Sequence, residues 1–66
     1  MGDSPIDYLI RLRILQAANL LRKEELNITE VAYRVGFQDS NYFARQFHRI
    51  MGTTPSIYRR QMLESV

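Results

Sequence analysis

The chain lacks cysteine and has only one histidine, His48, among its 66 residues. Without cysteine it can form no disulfide, no thiolate metal site and no cysteine nucleophile, and one histidine cannot build a histidine-rich zinc site. No acidic residue stands three or four positions from His48, which disfavours a Ser/His/Asp catalytic arrangement. We therefore expect a protein that is not an enzyme and that holds no metal or cofactor.

Long apolar runs are also absent. No segment approaches the ~18 consecutive apolar residues of a membrane-spanning helix, and no apolar signal-peptide segment follows Met1. Together with the missing cysteines, this predicts a cytoplasmic protein with no membrane partner. The length of 66 residues, with two prolines and three glycines, predicts a single globular domain over residues 1–66.

Charge is unevenly distributed along the chain. Residues 1–30 carry four basic and five acidic side chains, a net charge of −1, whereas residues 31–66 carry five arginines and two acidic side chains, a net charge of +3. Arginine is the side chain that pairs in a fork with phosphates and guanine. An ordinary solvated surface can have the same composition, so the position of the arginines has to decide between the two interpretations.

The first predicted helix spans residues 4–23. Ser4 is the expected N-cap, Pro5 the first helical residue, and Asp7 follows three residues after the cap. Apolar residues recur at spacings of 4, 4, 3 and 4 and form one buried stripe. The stripe consists of Ile6, Ile10, Ile14, Ala17 and Leu21.

The same helix has a second apolar face. It consists of Leu9, Leu12, Leu15 and Leu20. At about 100° per residue, Leu12 lies nearly opposite Ile14. A helix that is apolar on two faces is usually buried on two sides, which so small a domain can hardly achieve alone. We hypothesise that this face meets another part of a longer parent chain or a second copy.

A short second helix follows a polar connection. Asn27 and Glu30 have the spacing of a capping box, and Gly36 is expected to end the helix in the left-handed conformation. One face is apolar at positions i, i+3, i+4 and i+7. That face consists of Ile28, Val31, Ala32 and Val35.

The third predicted helix runs over about residues 40–51. Either Asp39 or Ser40 can serve as its cap, and Gly52 is its stop. Its buried stripe consists of Phe43, Phe47 and Ile50.

A fourth helix, over residues 54–63, begins at Thr54 with a proline in the next position. Its inward residues are expected to be Ile57, Tyr58 and Met62. No hairpin dipeptide and no sustained alternation of apolar and polar residues predicts a strand. The fold class is therefore all-α, a homeodomain-like helix-turn-helix bundle of about four helices.

Residues 27–52 form the predicted helix-turn-helix, in which the second helix would enter the DNA major groove. Opposite its phenylalanines this helix presents Asn41, Arg45 and His48, with Ala44 and Arg49 beside them and no acidic residue. Arg45 suits guanine, Asn41 suits adenine and Ala44 can touch a thymine methyl group. Any exposed helix face is polar, however, so the pattern alone leaves a solvated surface open.

Arg59 and Arg60 lie near the start of the fourth helix, where free backbone amides also attract phosphate. We expect both to contact the DNA backbone. A solvated surface pair is the alternative, and it is stronger for Arg60 than for Arg59.

Residues 28–59, ITEVAYRVGFQDSNYFARQFHRIMGTTPSIYR, resemble the second helix-turn-helix of the AraC/XylS family of bacterial transcription regulators. The matching residues are Ala32, Gly36, Phe37, Asp39, Tyr42, Phe43, Arg45, Phe47, Gly52, Thr54, Pro55, Tyr58 and Arg59. The stretch 4–21 is similar to the family's linker helix. It matches at Ser4, Pro5, Tyr8, Leu9, Arg13, Ala17, Leu20 and Leu21.

The resemblance implies roles for individual residues. It places four residues at base-facing positions: Ser40, Asn41, Ala44 and Arg45. It places Phe43, Phe47 and Tyr58 in the core. Contacts to the DNA backbone or flanking positions are expected from Gln38, His48, Arg49, Thr54, Arg59 and Arg60, and Gln46 also varies among members.

The family resemblance also implies partners. Family members join two helix-turn-helix subdomains by a long helix, and this chain would hold the joining helix and the second subdomain only. The implied partners are double-stranded DNA, RNA polymerase, and the missing first subdomain or effector domain, with activation of transcription as the function. A helical protein-interaction or dimerisation module using the second leucine face is the alternative, and both can hold because the two surfaces lie on different helices.

Overall fold

Four helices and short connections make up the computed structural model, which describes residues 5–23 and 25–64. They are α1 (Pro5–Leu20), α2 (Ile28–Arg34), α3 (Ser40–Met51) and α4 (Pro55–Glu64). The described residues contain no strand, which confirms the all-α prediction. The expected cap Ser4 lies outside the described residues.

The first helix ends at Leu20, earlier than the predicted Lys23. The amide of Arg22 donates to the carbonyl of Asn19 at 3.3 Å, and that of Lys23 donates to Leu20 at 3.0 Å. Both bonds span three residues, so the chain tightens into turns here instead of continuing the α-helical pattern. Pattern-based boundaries miss this because the apolar stripe continues to Leu21.

The capping box at α2 is confirmed. The amide of Glu30 donates to Asn27 Oδ1 at 2.8 Å, and the amide of Asn27 donates to Glu30 Oε1 at 3.1 Å. These two bonds satisfy donors that a helix start otherwise leaves without partners.

Gly36 ends α2 with φ of +103°, as its sequence position predicts. Its amide donates to Tyr33 at 3.1 Å, and the amide of Phe37 donates to Ala32 at 2.9 Å. This pair of bonds is a Schellman motif, which needs a residue that tolerates positive φ. The turn brings Phe37 back into the core and aims the chain at the start of α3.

Asp39, and not Ser40, caps α3. Its carboxylate accepts from the amide of Asn41 at 2.9 Å. Gly52 ends α3 with φ of +81°. The hydroxyl of Thr54 then accepts from the amide of Ile57 at 3.2 Å and caps α4. The helix-turn-helix is therefore held by local signals at each end.

An aromatic series links the helices inside the core. Phe37 meets Phe43 edge-on with centroids 5.3 Å apart, Phe43 lies 5.8 Å from Phe47, and Phe47 lies 5.5 Å from Tyr58. Phe43 and Phe47 are fully buried, as predicted. The remaining core residues are Ile10, Ile14, Ala17, Ala18, Leu21, Leu26, Val31, Ala32 and Val35.

Three expectations about the core are wrong. Ile6 is 69% exposed, and the buried stripe of α1 begins at Ile10. Ala18 is buried too, which the sequence did not predict. Ile57 is exposed, whereas Tyr58 and Met62, the other two residues expected to face inward on α4, are half-buried. Leu20 packs partly against the core and does not belong to the second apolar face.

The rest of that second face is exposed. Leu9, Leu12 and Leu15 are 45%, 39% and 53% exposed on α1. We call these three residues the leucine face. No helix among the described residues is long and apolar enough to cross a membrane.

Candidate nucleic-acid interface

The outer face of α3 is the candidate interface. Asn41, Arg45 and His48 are exposed there, whereas Ser40 and Ala44 are half-buried. Buried phenylalanines on the opposite side fix the rotation of the helix about its axis, so these side chains point outward. We call Ser40, Asn41, Ala44, Arg45 and His48 the α3 outer face.

Electrostatics favours an anionic partner on the α3 outer face. Among the described residues, the guanidinium of Arg45 has no hydrogen bond or ion pair, so its donors remain open to a ligand. The nearest carboxylate in sequence, that of Asp39, accepts from the helix amide and lies at the start of α3. An outer face with free donors and no acidic side chain suits bases and phosphates.

Arg49 lies between α3 and α1. Its Nε donates to Gln46 Oε1 at 2.9 Å, and one terminal nitrogen lies 3.9 Å from Asp7 Oδ1. Both ionic side chains are nearly half exposed, so this ion pair is weak. Arg49 therefore stands at the edge of the α3 outer face toward α1.

Three of the residues expected to contact the DNA backbone lie outside α3, in the connections before and after it and on α4. Gln38 is exposed in the turn before α3. Thr54 is exposed but uses its hydroxyl as a cap, and Arg60 is exposed on the first turns of α4. Gln38 and Thr54 thus lie before and after α3 in the chain, and Arg60 lies on the second turn of α4.

Arg59 makes hydrogen bonds within the chain that the sequence did not predict. Its Nε donates to the carbonyl of Leu21 at 2.9 Å, one terminal nitrogen donates to Lys23 at 3.0 Å, and the same nitrogen donates to Leu26. The side chain is half-buried against the connection between α1 and α2. Arg59 therefore has a structural role here, and its contact with the DNA backbone stays a prediction.

Arg13 is a residue whose role the sequence did not reveal. Its Nη1 lies 3.4 Å from the carbonyl of Gly36, and a Cβ placed on Gly36 would come within 3.0 Å of Arg13 Cζ. Arg13 thus supports the turn of the helix-turn-helix from α1. The two residues are 23 positions apart, so no local sequence signal could have indicated the contact.

A groove of about 440 Å³ lies between the first half of α1 and the start of α3. Ile6, Leu9 and Tyr42 line it together with Arg13 and Arg45. Among the described residues, no cluster of three metal-ligating side chains is present. What the geometry brings together is a polar surface on α3 beside an apolar surface on α1.

A short helix, a Schellman turn and a longer helix with a polar outer face define a helix-turn-helix domain, a class that acts by binding DNA. Sequence comparison agrees: a family model described as "Helix-turn-helix domain" matches residues 1–61. The chain belongs to this AraC-type family of helix-turn-helix domains.

Similar proteins are bacterial transcription activators. The chain is 46% identical over 59 residues to HTH-type transcriptional activator RhaS of Shigella boydii, covering 89% of this chain and 21% of the relative. It is 54% identical over 60 residues to HTH-type transcriptional activator RhaR of Cronobacter sakazakii, covering 91% and 21%. The chain thus spans about a fifth of the length of these relatives. No solved structure matches it significantly.

Proposed function

We propose that this chain is a DNA-binding module of a bacterial transcription activator and that it inserts α3 into the major groove. The observation that carries the proposal is the α3 outer face, where Arg45, unpaired among the described residues, stands beside Asn41 on a helix fixed by buried phenylalanines. The similarity to named transcription activators supports the regulatory role.

The base contacts follow from side-chain chemistry. Arg45 would donate a pair of hydrogen bonds to O6 and N7 of guanine, and Asn41 would pair with N6 and N7 of adenine. The half-buried Ala44 lets the helix approach closely and can touch a thymine methyl group. Ser40, at the first position of α3, would offer its hydroxyl to either kind of base.

Contacts to the DNA backbone hold the helix in place. Gln38, His48, Arg49, Thr54 and Arg60 would supply them from both ends of α3 and from α4. Such contacts set register and orientation, whereas they carry no sequence information. The ion pair of Arg49 with Asp7 is weak enough to open when a phosphate approaches.

We expect weak binding from this module alone. One helix-turn-helix contacts few phosphates, and its non-specific Kd should be on the order of 10⁻⁴ to 10⁻⁶ M at physiological salt. Affinity should fall steeply as salt rises because bound counterions are released from DNA.

The test is an NMR titration of the chain with a short duplex at low and at raised salt. We expect shifts concentrated on residues 38–49 and around Thr54 and Arg60, and we expect them to shrink with salt. Arg11→Ala on α1, outside the interface, serves as the control and should shift like the parent chain. Shifts spread evenly over the surface, or none on α3, would contradict the proposal.

The leucine face supports a second proposal, that α1 docks the remainder of a longer regulator. The face is apolar and exposed, and the chain covers only 21% of its relatives, so most of such a regulator lies outside this sequence. The occupant would be a preceding helix-turn-helix subdomain, with RNA polymerase as a partner of the whole regulator. Sedimentation of the chain across concentrations tests this: a monomer fits the proposal, whereas a stable dimer through Leu12 would show that a second copy covers the face.

A further inference from the structure

We propose that Arg59 is a positioning residue that sets the direction of α1 relative to α3. The inference deepens the proposed function and rests on it, because α3 carries the DNA-facing residues and α1 carries the leucine face. The direction of α1 decides where anything docked on Leu12 stands relative to DNA bound at Arg45. Arg59 acts on α1 through the connection between α1 and α2.

Three carbonyls converge on the Arg59 guanidinium. The Nε donor reaches Leu21 at 2.9 Å, and a terminal nitrogen reaches Lys23 at 3.0 Å and also Leu26. All three carbonyls belong to the short connection that follows α1. A guanidinium is planar and presents five N–H donors at fixed angles, so it holds such acceptors in one arrangement.

Helix α4, which carries Arg59, is packed against α3. Tyr58, the residue before Arg59, meets Phe47 edge-on with ring centroids 5.5 Å apart, and Phe47 is fully buried. Helix α4 packs chiefly against α3. Arg59 thus joins a helix fixed to α3 with the chain segment at the end of α1.

A second, weaker contact lies one turn further along α4. Arg22 Nη2 lies 3.9 Å from Met62 Sδ, at the outer limit for a hydrogen bond to sulfur. Thioether sulfur is a weak acceptor. Among the described residues, Arg59 thus makes three hydrogen bonds that join the connection after α1 to α4.

The chemistry of lysine separates this role from a phosphate contact. Lysine keeps the positive charge and can contact a phosphate as a point charge, but its single ammonium does not reproduce the planar fork. Arg59→Lys should therefore remove the three-carbonyl link while leaving electrostatic attraction to DNA in place. The adjacent exposed Arg60 offers a matched control, Arg60→Lys.

The experiment compares residual dipolar couplings of the α1 and α3 amides in the parent chain, Arg59→Lys and Arg60→Lys, well below each melting temperature. In Arg59→Lys we expect that the α1 couplings no longer fit the alignment frame of α3. The amide of Leu26, which donates to Lys23 at 3.3 Å, should exchange with solvent faster, on the order of tenfold. Arg60→Lys should match the parent. An unchanged frame and unchanged exchange in Arg59→Lys would overturn the inference.

A second measurement needs no variant and decides the matter if Arg59→Lys fails to fold. Nitrogen relaxation of the arginine Nε groups in the parent chain should give Arg59 an order parameter near that of rigid backbone, about 0.85, and Arg60 one below about 0.6. An Arg59 as mobile as Arg60 would overturn the inference. Neither measurement uses DNA, so a chain that fails to bind DNA would refute the proposed function separately.

Discussion

The outer face of α3 and the leucine face of α1 are both exposed, yet their chemistry is opposite. The first offers hydrogen-bond donors from Asn41 and Arg45, and the second offers only the hydrocarbon of Leu9, Leu12 and Leu15. Exposed hydrogen-bond donors suit an anionic, hydrogen-bonding partner such as DNA, whereas a contiguous apolar patch suits another apolar surface. The kind of atom exposed on each face therefore indicates the kind of partner that the face can bind.

Two arginines extend the comparison. Arg45 has no hydrogen bond or ion pair among the described residues, whereas Arg59 gives its donors to three backbone carbonyls. Both match the same family pattern and both carry the same charge. The two residues differ in their surroundings: the donors of Arg45 remain open among the described residues, whereas those of Arg59 hold the connection between α1 and α2.

The largest effect should come from Phe47→Ala, because Phe47 belongs to the core on which both α1 and α3 pack. Removing a fully buried phenylalanine costs about 3–5 kcal/mol of unfolding free energy, which is a large share of the stability of so small a domain. Thermal denaturation by circular dichroism should show loss of the folded state. Phe47→Leu keeps most of the volume and should stay folded. A fully folded Phe47→Ala would show that the core tolerates the cavity.

Gly36→Ala should have the next largest effect, about 1–3 kcal/mol of unfolding free energy. The backbone there has φ of +103°, and the new Cβ would press on the Arg13 guanidinium at 3.0 Å. Gly52→Ala is the matched control, because Gly52 has φ of +81° but open space around it. Chemical denaturation of both variants separates backbone strain from crowding by Arg13. Equal losses of unfolding free energy in the two variants would mean that crowding against Arg13 of α1 adds nothing to the cost of backbone strain.

Arg45→Ala should break the α3 outer face alone. The loss of a bidentate base contact costs about 1–3 kcal/mol of specific DNA binding, measured by fluorescence anisotropy with a duplex at fixed salt. The melting temperature should not change, since the side chain is exposed and has no partner among the described residues. If Arg45→Ala bound every duplex with the same affinity as the parent chain, base reading by Arg45 would be contradicted.

Leu12→Glu should have the smallest effect on this chain. A substitution at an exposed site alters the unfolding free energy by roughly 0.5 kcal/mol or less, and it should leave DNA binding intact. It should, however, abolish docking of any partner on the leucine face, which pull-down with a purified preceding subdomain would detect. Leu12→Met is the control that keeps the face apolar. A loss of DNA binding in Leu12→Glu would mean that the two faces are not independent.

Local structure was largely predictable because its causes are local. The Asn27 and Glu30 capping box, the positive φ of Gly36 and the cap at Thr54 all depend on residues within a few positions of each other. The buried phenylalanines of α3 follow from a periodicity that any helix obeys. Errors arose where burial depends on neighbouring helices, as for Ile6, Leu20 and Ile57.

The helices, their caps and the polar character of the α3 outer face follow from the order of residues, since side-chain spacing and backbone preference act over one or two turns. The order of residues also specified the family, through residues spread over nearly the whole chain. Which arginine has open donors and which has its donors bonded depends on how the helices pack. The bonds from Arg59 to Leu21 and from Arg13 to Gly36 join residues 38 and 23 positions apart. Such contacts exist only after the helices pack, because packing alone brings those carbonyls within reach of a guanidinium.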